Sequence, residues 1–321
     1  MARPLPTWLQ SIWKKLIRNV ILVGCFWMSP DRKREMERWV RGREQYAKLQ
    51  QADCVVVSFG KSGRTWLRVM LSRFYQVRDG IPEHVLLGFD NLHRRRPSVP
   101  KIFLTHDNYL EDYTGHRDTR EDYRGKKVVL LVRHPGDVAA SQYFQWRFRM
   151  KPNKKAINNY PTGVDELGVF DFMHADGGGL PKILRFMDVW AREIAVNDDV
   201  LIVRYEDLRA RPEEELARLL EFMGTPGTPE QVAEAVRFAS FDNMRKLEEG
   251  RSFRLSGGRM KPKDRNNPDS FKVRRGKVGG FRDYLEDHEI EQIEKELEAA
   301  LDPIWGYTED APERDSTEGR A

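Results

Sequence analysis

The chain has 321 residues, 40% of them hydrophobic and 11% aromatic, enough to bury a core and too apolar for a disordered protein. Two cysteines, Cys25 and Cys54, exclude a disulfide scaffold, and no run approaches the ~20 apolar residues of a membrane-spanning helix. The net charge of +5 is unevenly distributed: residues 1–50 hold 11 Lys/Arg against 4 Asp/Glu, residues 251–282 hold 11 against 2, and residues 283–321 hold 3 against 14. Such blocks are either solvated faces or anion grips, and charge alone does not choose between them.

In chain order, the apolar stretch 16–28 follows Lys14 and Lys15 and is flanked upstream by Trp8 and Trp13. Arg18 and Asn19 interrupt it and Phe26-Trp27-Met28 follow, which argues against a secretory signal. A helix on a membrane surface and a segment docked on the domain fit equally well, so residues 1–30 are a candidate peripheral membrane contact. Residues 31–50 read as a charged, exposed helix. Cys54-Val55-Val56-Val57-Ser58-Phe59 is a continuous apolar run rich in β-branched residues, the pattern of a strand buried on both faces. Similar runs lie at 102–105, 128–132 and 200–203, with helical patterns over about 65–75, 135–150, 180–196, 212–223, 229–238 and 286–301. The alternation predicts an α/β fold: a single domain, its central parallel sheet flanked by helices on both faces. The expected organisation is a basic and apolar N-terminal segment (1–50), a domain over 51–305 and a polar, disordered tail over 306–321. Residues 250–282 hold six glycines and two prolines with little apolar periodicity, as in a long functional loop.

Phe59-Gly60-Lys61-Ser62-Gly63-Arg64-Thr65-Trp66 joins a buried strand to a helix, a turn that aims backbone N–H groups and the positive helix end at an anion. It is not a nucleoside-triphosphatase loop, because the first glycine of that motif falls at Val55 and the strand ending at Val132 leads into Arg133 in place of a magnesium-binding Asp. A small-molecule kinase is therefore the weakest of the functions considered. A second segment, Arg133-His134-Pro135-Gly136-Asp137-Val138-Ala139-Ala140-Ser141-Gln142-Tyr143, also follows a buried strand. Arg133 at the strand's end can fork onto a phosphate, and Ser141 lies two turns into the helix that Pro135 begins. The third is the basic run Val273-Arg274-Arg275-Gly276-Lys277-Val278-Gly279. Phe253, Phe271 and Phe281 are too sparse to interleave it for nucleic-acid binding.

These three segments, with Val203-Arg204-Tyr205-Glu206-Asp207-Leu208 and Ser240-Phe241-Asp242-Asn243-Met244, resemble in order and spacing the motifs of the cytosolic-type sulfotransferases. The resemblance covers residues 53 to about 282. It implies a P-loop-like fold and an enzyme that uses 3′-phosphoadenosine 5′-phosphosulfate (PAPS), releases 3′,5′-bisphosphoadenosine (PAP) and needs no metal. By the same resemblance, Lys61, Ser62, Gly63, Arg64 and Thr65 hold the 5′-phosphosulfate. Arg133, Ser141, Arg274, Arg275 and Gly276 address the 3′-phosphate, while Trp66, Tyr205 and Phe241 surround the adenine. Pro100-Lys101-Ile102-Phe103-Leu104-Thr105-His106 resembles the strand that ends in the family's catalytic base, which assigns that role to His106 and the leaving-group role to Lys61.

Three departures qualify the match. Leu104 stands where the family has a lysine, Arg64 replaces a threonine, and the family's Lys-x-x-x-Thr-Val dimer signature is missing after the basic run, so the oligomeric state is open. Leu104 also keeps alive a catalytically lapsed nucleotide-binding module. The expected acceptor is a small-molecule or lipid-like hydroxyl, and the expected location is the cytoplasm, peripheral on its membrane face if residues 1–30 bind lipid. The segment 142–190 is rich in aromatics (Tyr143, Phe144, Trp146, Phe148, Tyr160, Phe170, Phe172, Phe186, Trp190), which predicts an apolar acceptor pocket, with Gly177-Gly178-Gly179 as the hinge of a lid.

Overall fold

The computed structural model describes residues 27–163, 166–250, 263–264 and 266–310. Four short strands, β1 (Cys54–Val57), β2 (Ile102–Thr105), β3 (Lys127–Val132) and β4 (Val200–Arg204), form one parallel sheet in the order β2-β1-β3-β4. The register is set by the pairs Val57↔Thr105, Val57↔Leu130 and Val132↔Arg204. Parallel neighbours need crossover connections, and helices supply them.

Those helices are α1 (Pro30–Gln51), α2 (Arg64–Asp79), α3 (Leu110–Thr114), α4 (Pro135–Phe148), α5 (Pro152–Ile157), α6 (Val169–Met173), α7 (Leu180–Ile194), α8 (Tyr205–Ala210), α9 (Pro212–Phe222), α10 (Pro229–Phe238), α11 (Phe241–Gly250) and α12 (Asp287–Ala300). Strand side chains alternate between two cores. Cys54, Val56, Val129, Leu131 and Val203 join a cluster with residues of α2, α9, α10 and α11. Val55, Val57, Val128, Leu130 and Val132 join the opposite cluster with α4, α7, α12, Leu49 of α1 and Trp305. Because both faces are covered, the strands read as unbroken apolar runs. Local signals agree: α4 starts on Pro135, α10 carries a capping box between Thr228 and Gln231, and α2 runs between Gly63 and Gly80, both with positive φ.

Helix α1 differs from the exposed helix expected. Arg38 donates from Nε to Asp112 Oδ1 (3.0 Å) and from its two terminal nitrogens to the carbonyls of Ile157 (2.9 Å) and Asn108 (3.1 Å). A Cβ on Gly42 would sit 2.2 Å from the Tyr109 carbonyl, so the helix backbone lies directly against α3. The docked face mixes Arg38 and Gly42 with Leu49 and with Trp39 and Tyr46, whose rings meet Tyr113, a set too interrupted by charge for a hydrophobic pattern to register. The expected membrane-contact segment, 1–30, and the expected tail, 306–321, lie mostly outside the described residues. No helix among the described residues is long and apolar enough to cross a membrane.

Candidate active site

Each strand delivers a motif at its carboxyl end: the loop 58–65 from β1, His106 from β2, Arg133 from β3 and Tyr205 from β4. In an open α/β sheet this is the edge at which ligands bind. A cavity of about 480 Å³ opens there, within the usual size of a small-molecule site. Of the residues expected to bind or react, all but Ser62 line it. Ser62 is 1% exposed beneath the loop, where its amide donates to the Phe59 carbonyl at 3.5 Å.

The loop turns through Lys61, held at φ 77°, and Gly63, at φ 95°, whose missing Cβ would otherwise lie 2.6 Å from the Tyr205 ring. A lysine in the left-handed region is unusual and strained. Burial, then the charges of Arg149, Arg274 and Arg133, bring the Lys61 ammonium down to about 7. The site is thus poised to gain an anion.

His106 Nδ1 lies 2.8 Å from the Ser58 carbonyl, which can only accept. The proton therefore sits on Nδ1, and Nε2 keeps its lone pair. Burial, with help from Arg64, holds the imidazole well below its usual range, so the ring is neutral at physiological pH. Asp107, also at positive φ (52°), is anchored behind it by Tyr123 (2.7 Å) and Arg120 (2.5 Å).

At the other end, Arg133 lies over the Tyr205 ring (4.4 Å) and donates to Asp137 (3.1 Å) and the Lys277 carbonyl (2.9 Å). The Asp137 side chain, 1% exposed, also accepts from the amides of Gly279 (2.9 Å) and Phe281 (3.0 Å). One carboxylate thereby ties the start of α4 to the turn that follows the basic run. Trp66 meets Tyr205 edge-on at 5.8 Å and donates to the Ala239 carbonyl at 2.8 Å. Phe241, 36% exposed, borders the cavity close to Gly276, whose Cβ position is 3.2 Å from its ring. Arg274 lies over the Phe144 ring (3.7 Å) and bonds the Tyr284 hydroxyl, while Arg275 pairs with Asp283 at 3.0 Å.

Two sequence expectations about the acceptor side are corrected. Of the nine aromatics in 142–190, only Tyr160 lines the cavity. Tyr143, Phe144, Trp146 and Phe172 pack on one another, and Phe186 and Trp190 belong to the core. Gly177, Gly178 and Gly179 are sites of close approach in place of a hinge: added Cβ atoms would lie 1.6 Å from the Asn159 carbonyl, 2.3 Å from the Tyr160 ring and 2.2 Å from the Met173 carbonyl. The remaining wall carries Gln142, to which the second motif gave no role, and residues that no motif flagged, among them Lys154, Asn158, Lys182 and Lys272. Glu248, 0% exposed, fixes Lys272 in place by accepting from the amides of Lys272 (2.8 Å) and Val273 (3.0 Å).

A family model for the sulfotransferase domain matches residues 51–303. The chain belongs to the sulfotransferase family. It is 25% identical to cytosolic sulfotransferase 12 of Arabidopsis thaliana over 264 residues, spanning 77% of this chain and 76% of the relative. It is 23% identical to flavonol 3-sulfotransferase of Flaveria bidentis over 290 residues, 83% of this chain and 88% of the relative. Among solved structures, a mouse sulfotransferase complexed with PAP aligns with a TM-score of 0.52 at 19% identity, covering 80% of this chain and 89% of that one. Retinol dehydratase in complex with androsterone and PAP aligns at 0.51 and 17% identity, covering 82% of each chain. The family, the single α/β fold and the enzyme class expected from the motifs are borne out, and the solved neighbours hold the product nucleotide expected of a PAPS donor.

Proposed function

We propose that the chain transfers a sulfuryl group from PAPS to the hydroxyl of a small acceptor, with His106 as the base. The observation that carries this reading is the neutral His106, its Nε2 lone pair unprotonated, in one cavity with Lys61, Arg133 and Gly276. The residues present fit the nucleotide. Eleven lysines and arginines line the cavity among the described residues, against one carboxylate, and Trp66, Tyr205 and Phe241 offer ring surfaces for a base.

PAPS would supply a sulfuryl group on a phosphate leaving group. Loop amides and Thr65, at the start of α2, would hold the 5′-phosphate, while Arg133, Ser141, Arg274 and Arg275 would hold the 3′-phosphate. Nε2 of His106 would accept the acceptor's hydroxyl proton as its oxygen becomes nucleophilic. The Lys61 ammonium would neutralise charge arriving on the departing phosphate oxygen. The relatives named cytosolic sulfotransferases support a cytoplasmic location.

Leu104 lines the cavity at the end of β2 and supports one competing reading, a nucleotide-binding module without turnover. A thermal-shift series with PAP, AMP and ATP, followed by transfer from labelled PAPS to alcohols and phenols, separates the two. At ~100 times its dissociation constant, PAP should add about 2.7 kcal/mol of stability, with little effect from AMP. Transfer should occur and be lost in His106→Ala. A PAP shift without transfer to any acceptor would favour the module, and equal shifts for all three nucleotides would remove the nucleotide assignment.

A further inference from the structure

The residues proposed to hold the 3′-phosphate come from two separate stretches: Arg133 and Ser141 before and within α4, and Arg274, Arg275 and Gly276 in the basic run. Residues 272–282 carry five cations, Lys272, Arg274, Arg275, Lys277 and Arg282, and no carboxylate. Like charges this dense repel one another, so the segment does not fold onto a cationic site unaided. Residues 271–279 form neither helix nor strand, and their backbone amides need acceptors from elsewhere.

Two buried carboxylates supply them. Glu248 of α11 accepts from the amides of Lys272 (2.8 Å) and Val273 (3.0 Å), before the run's arginines. Asp137, in the first turn of α4, accepts from the amides of Gly279 (2.9 Å) and Phe281 (3.0 Å), after them. Each also meets a guanidinium: Arg149 lies 3.5 Å from Glu248, and Arg133 3.1 Å from Asp137. A buried carboxylate is costly unless its lone pairs are filled, and here two amides and an arginine fill each. Arg149 caps the carboxyl end of α4 and also bonds the Ser270 carbonyl. At 1.5 Å per residue, Asp137 and Arg149 stand ~18 Å apart along the helix axis. Helix α4 therefore lies along the basic run as a splint, fastened at Asp137 directly and at Arg149 through Glu248. Ser141 sits between the two fastenings, and Arg274 lies over Phe144 of the same helix at 3.7 Å.

Resting on the sulfotransferase reading, we infer that Glu248 and Asp137 are positioning residues for the 3′-phosphate. They hold the backbone of the basic run at both ends, so that Arg274, Arg275 and Gly276 share one cavity with Arg133 and Ser141. A side-chain amide in either place would fail, because its NH2 group would be turned on backbone N–H groups that need an acceptor. Asp137 touches Arg133 itself, whereas the partners of Glu248, two amides and Arg149, are not assigned to the nucleotide. Glu248 is thus the cleaner position to test. It also favours the charged form of Lys61, the residue set against the 5′-phosphate side of the donor. That influence reaches PAP and AMP alike, since both carry a 5′-phosphate, and it cancels in the ratio of their affinities.

Calorimetry of PAP and AMP binding to the full-length chain, unmodified and as Glu248→Gln and Asp137→Asn, tests this. The unmodified chain should bind PAP more tightly than AMP, and each variant should shrink that ratio at least tenfold. A merely structural carboxylate would weaken both nucleotides together, or lower the melting temperature, and leave the ratio unchanged. Hydrogen exchange on the unmodified chain gives a reading that does not depend on a variant folding. The amides of Lys272, Val273, Gly279 and Phe281 should be protected, and should gain protection with PAP but not with AMP. An unchanged ratio in either variant, or exchange at these amides as fast as in an open loop, would overturn the inference. Failure of PAP to bind the unmodified chain, or equal affinity for PAP and AMP there, would instead overturn the nucleotide reading.

Discussion

At the residue scale, two groups set the expected pH response in opposite directions. As the proposed base, His106 must be neutral, and its affinity for a proton is already well below the usual imidazole range. The acid limb of kcat/KM should therefore fall below pH ~6.5, the ordinary histidine value. Lys61 must be cationic to meet a phosphate, and in the empty site it titrates at about 7. Bound phosphate favours the charged form, so affinity for PAP is full below that value. It should weaken as pH rises through it, by at most about tenfold per pH unit for each proton taken up. Lys272 titrates in the same range and contributes to the same decline. Calorimetry of PAP binding between pH 6 and 9 checks this: Lys61→Met should flatten the alkaline loss, and Lys272→Met should flatten what remains. Affinity that rises with pH would contradict the charge assignment.

At the scale of elements, α1 gives the sharpest test. In an exposed helix, glycine to alanine stabilises by about 1 kcal/mol through propensity alone. At Gly42 the new methyl would meet the Tyr109 carbonyl at 2.2 Å, and backbone cannot swing aside as a long side chain can. Gly42→Ala should therefore destabilise, by about 1–3 kcal/mol, measured by urea unfolding. A stabilised variant would mean that α1 does not dock where Arg38 and Asp112 place it.

The same helix shows where sequence reading stops. β1 and most of β3 were legible because burial on both faces leaves an unbroken apolar run, β2 and β4 because theirs stay apolar up to Thr105 and Arg204, and the loop after β1 because glycines and a lysine occur where a strand meets a helix. Docking of α1 through arginines was not, since arginine on a helix ordinarily marks solvent. Nor was the fate of the aromatics: composition shows that 142–190 is rich in rings, but only three-dimensional packing decides whether a ring faces a cavity or another ring. Lys154, Lys182 and Lys272 went unflagged for a related reason, because isolated lysines among polar residues carry no spacing signal. Resemblance to a family directed attention to the donor motifs, while the cavity wall that holds Lys154, Lys182 and Lys272 emerged from geometry.

At the scale of the whole molecule, the charge blocks resolve into a local balance. Arg275 and Lys277 of the basic stretch pair with Asp283 at 3.0 and 2.6 Å, and Arg282 donates from Nε to Glu294 at 2.8 Å. Asp283 thus partly offsets Arg275 and Lys277, which line the cavity together with Lys272 and Arg274. Residues 251–262, with Arg251, Arg254, Arg259 and Lys261, lie outside the described residues.

Three non-glycine residues among those described have positive φ: Lys61, Asp107 and Asn159. The first lies in the loop after β1, the second follows His106, and the third sits between Asn158 and Tyr160 of the cavity wall. Conformational tension is thus gathered around one cavity, and a screen for thermal tolerance would be drawn there. Lys61→Gly should match or exceed the parent's melting temperature, since glycine accepts that backbone freely, while losing most affinity for PAP. Selection for heat resistance alone would erode this enzyme first where it works.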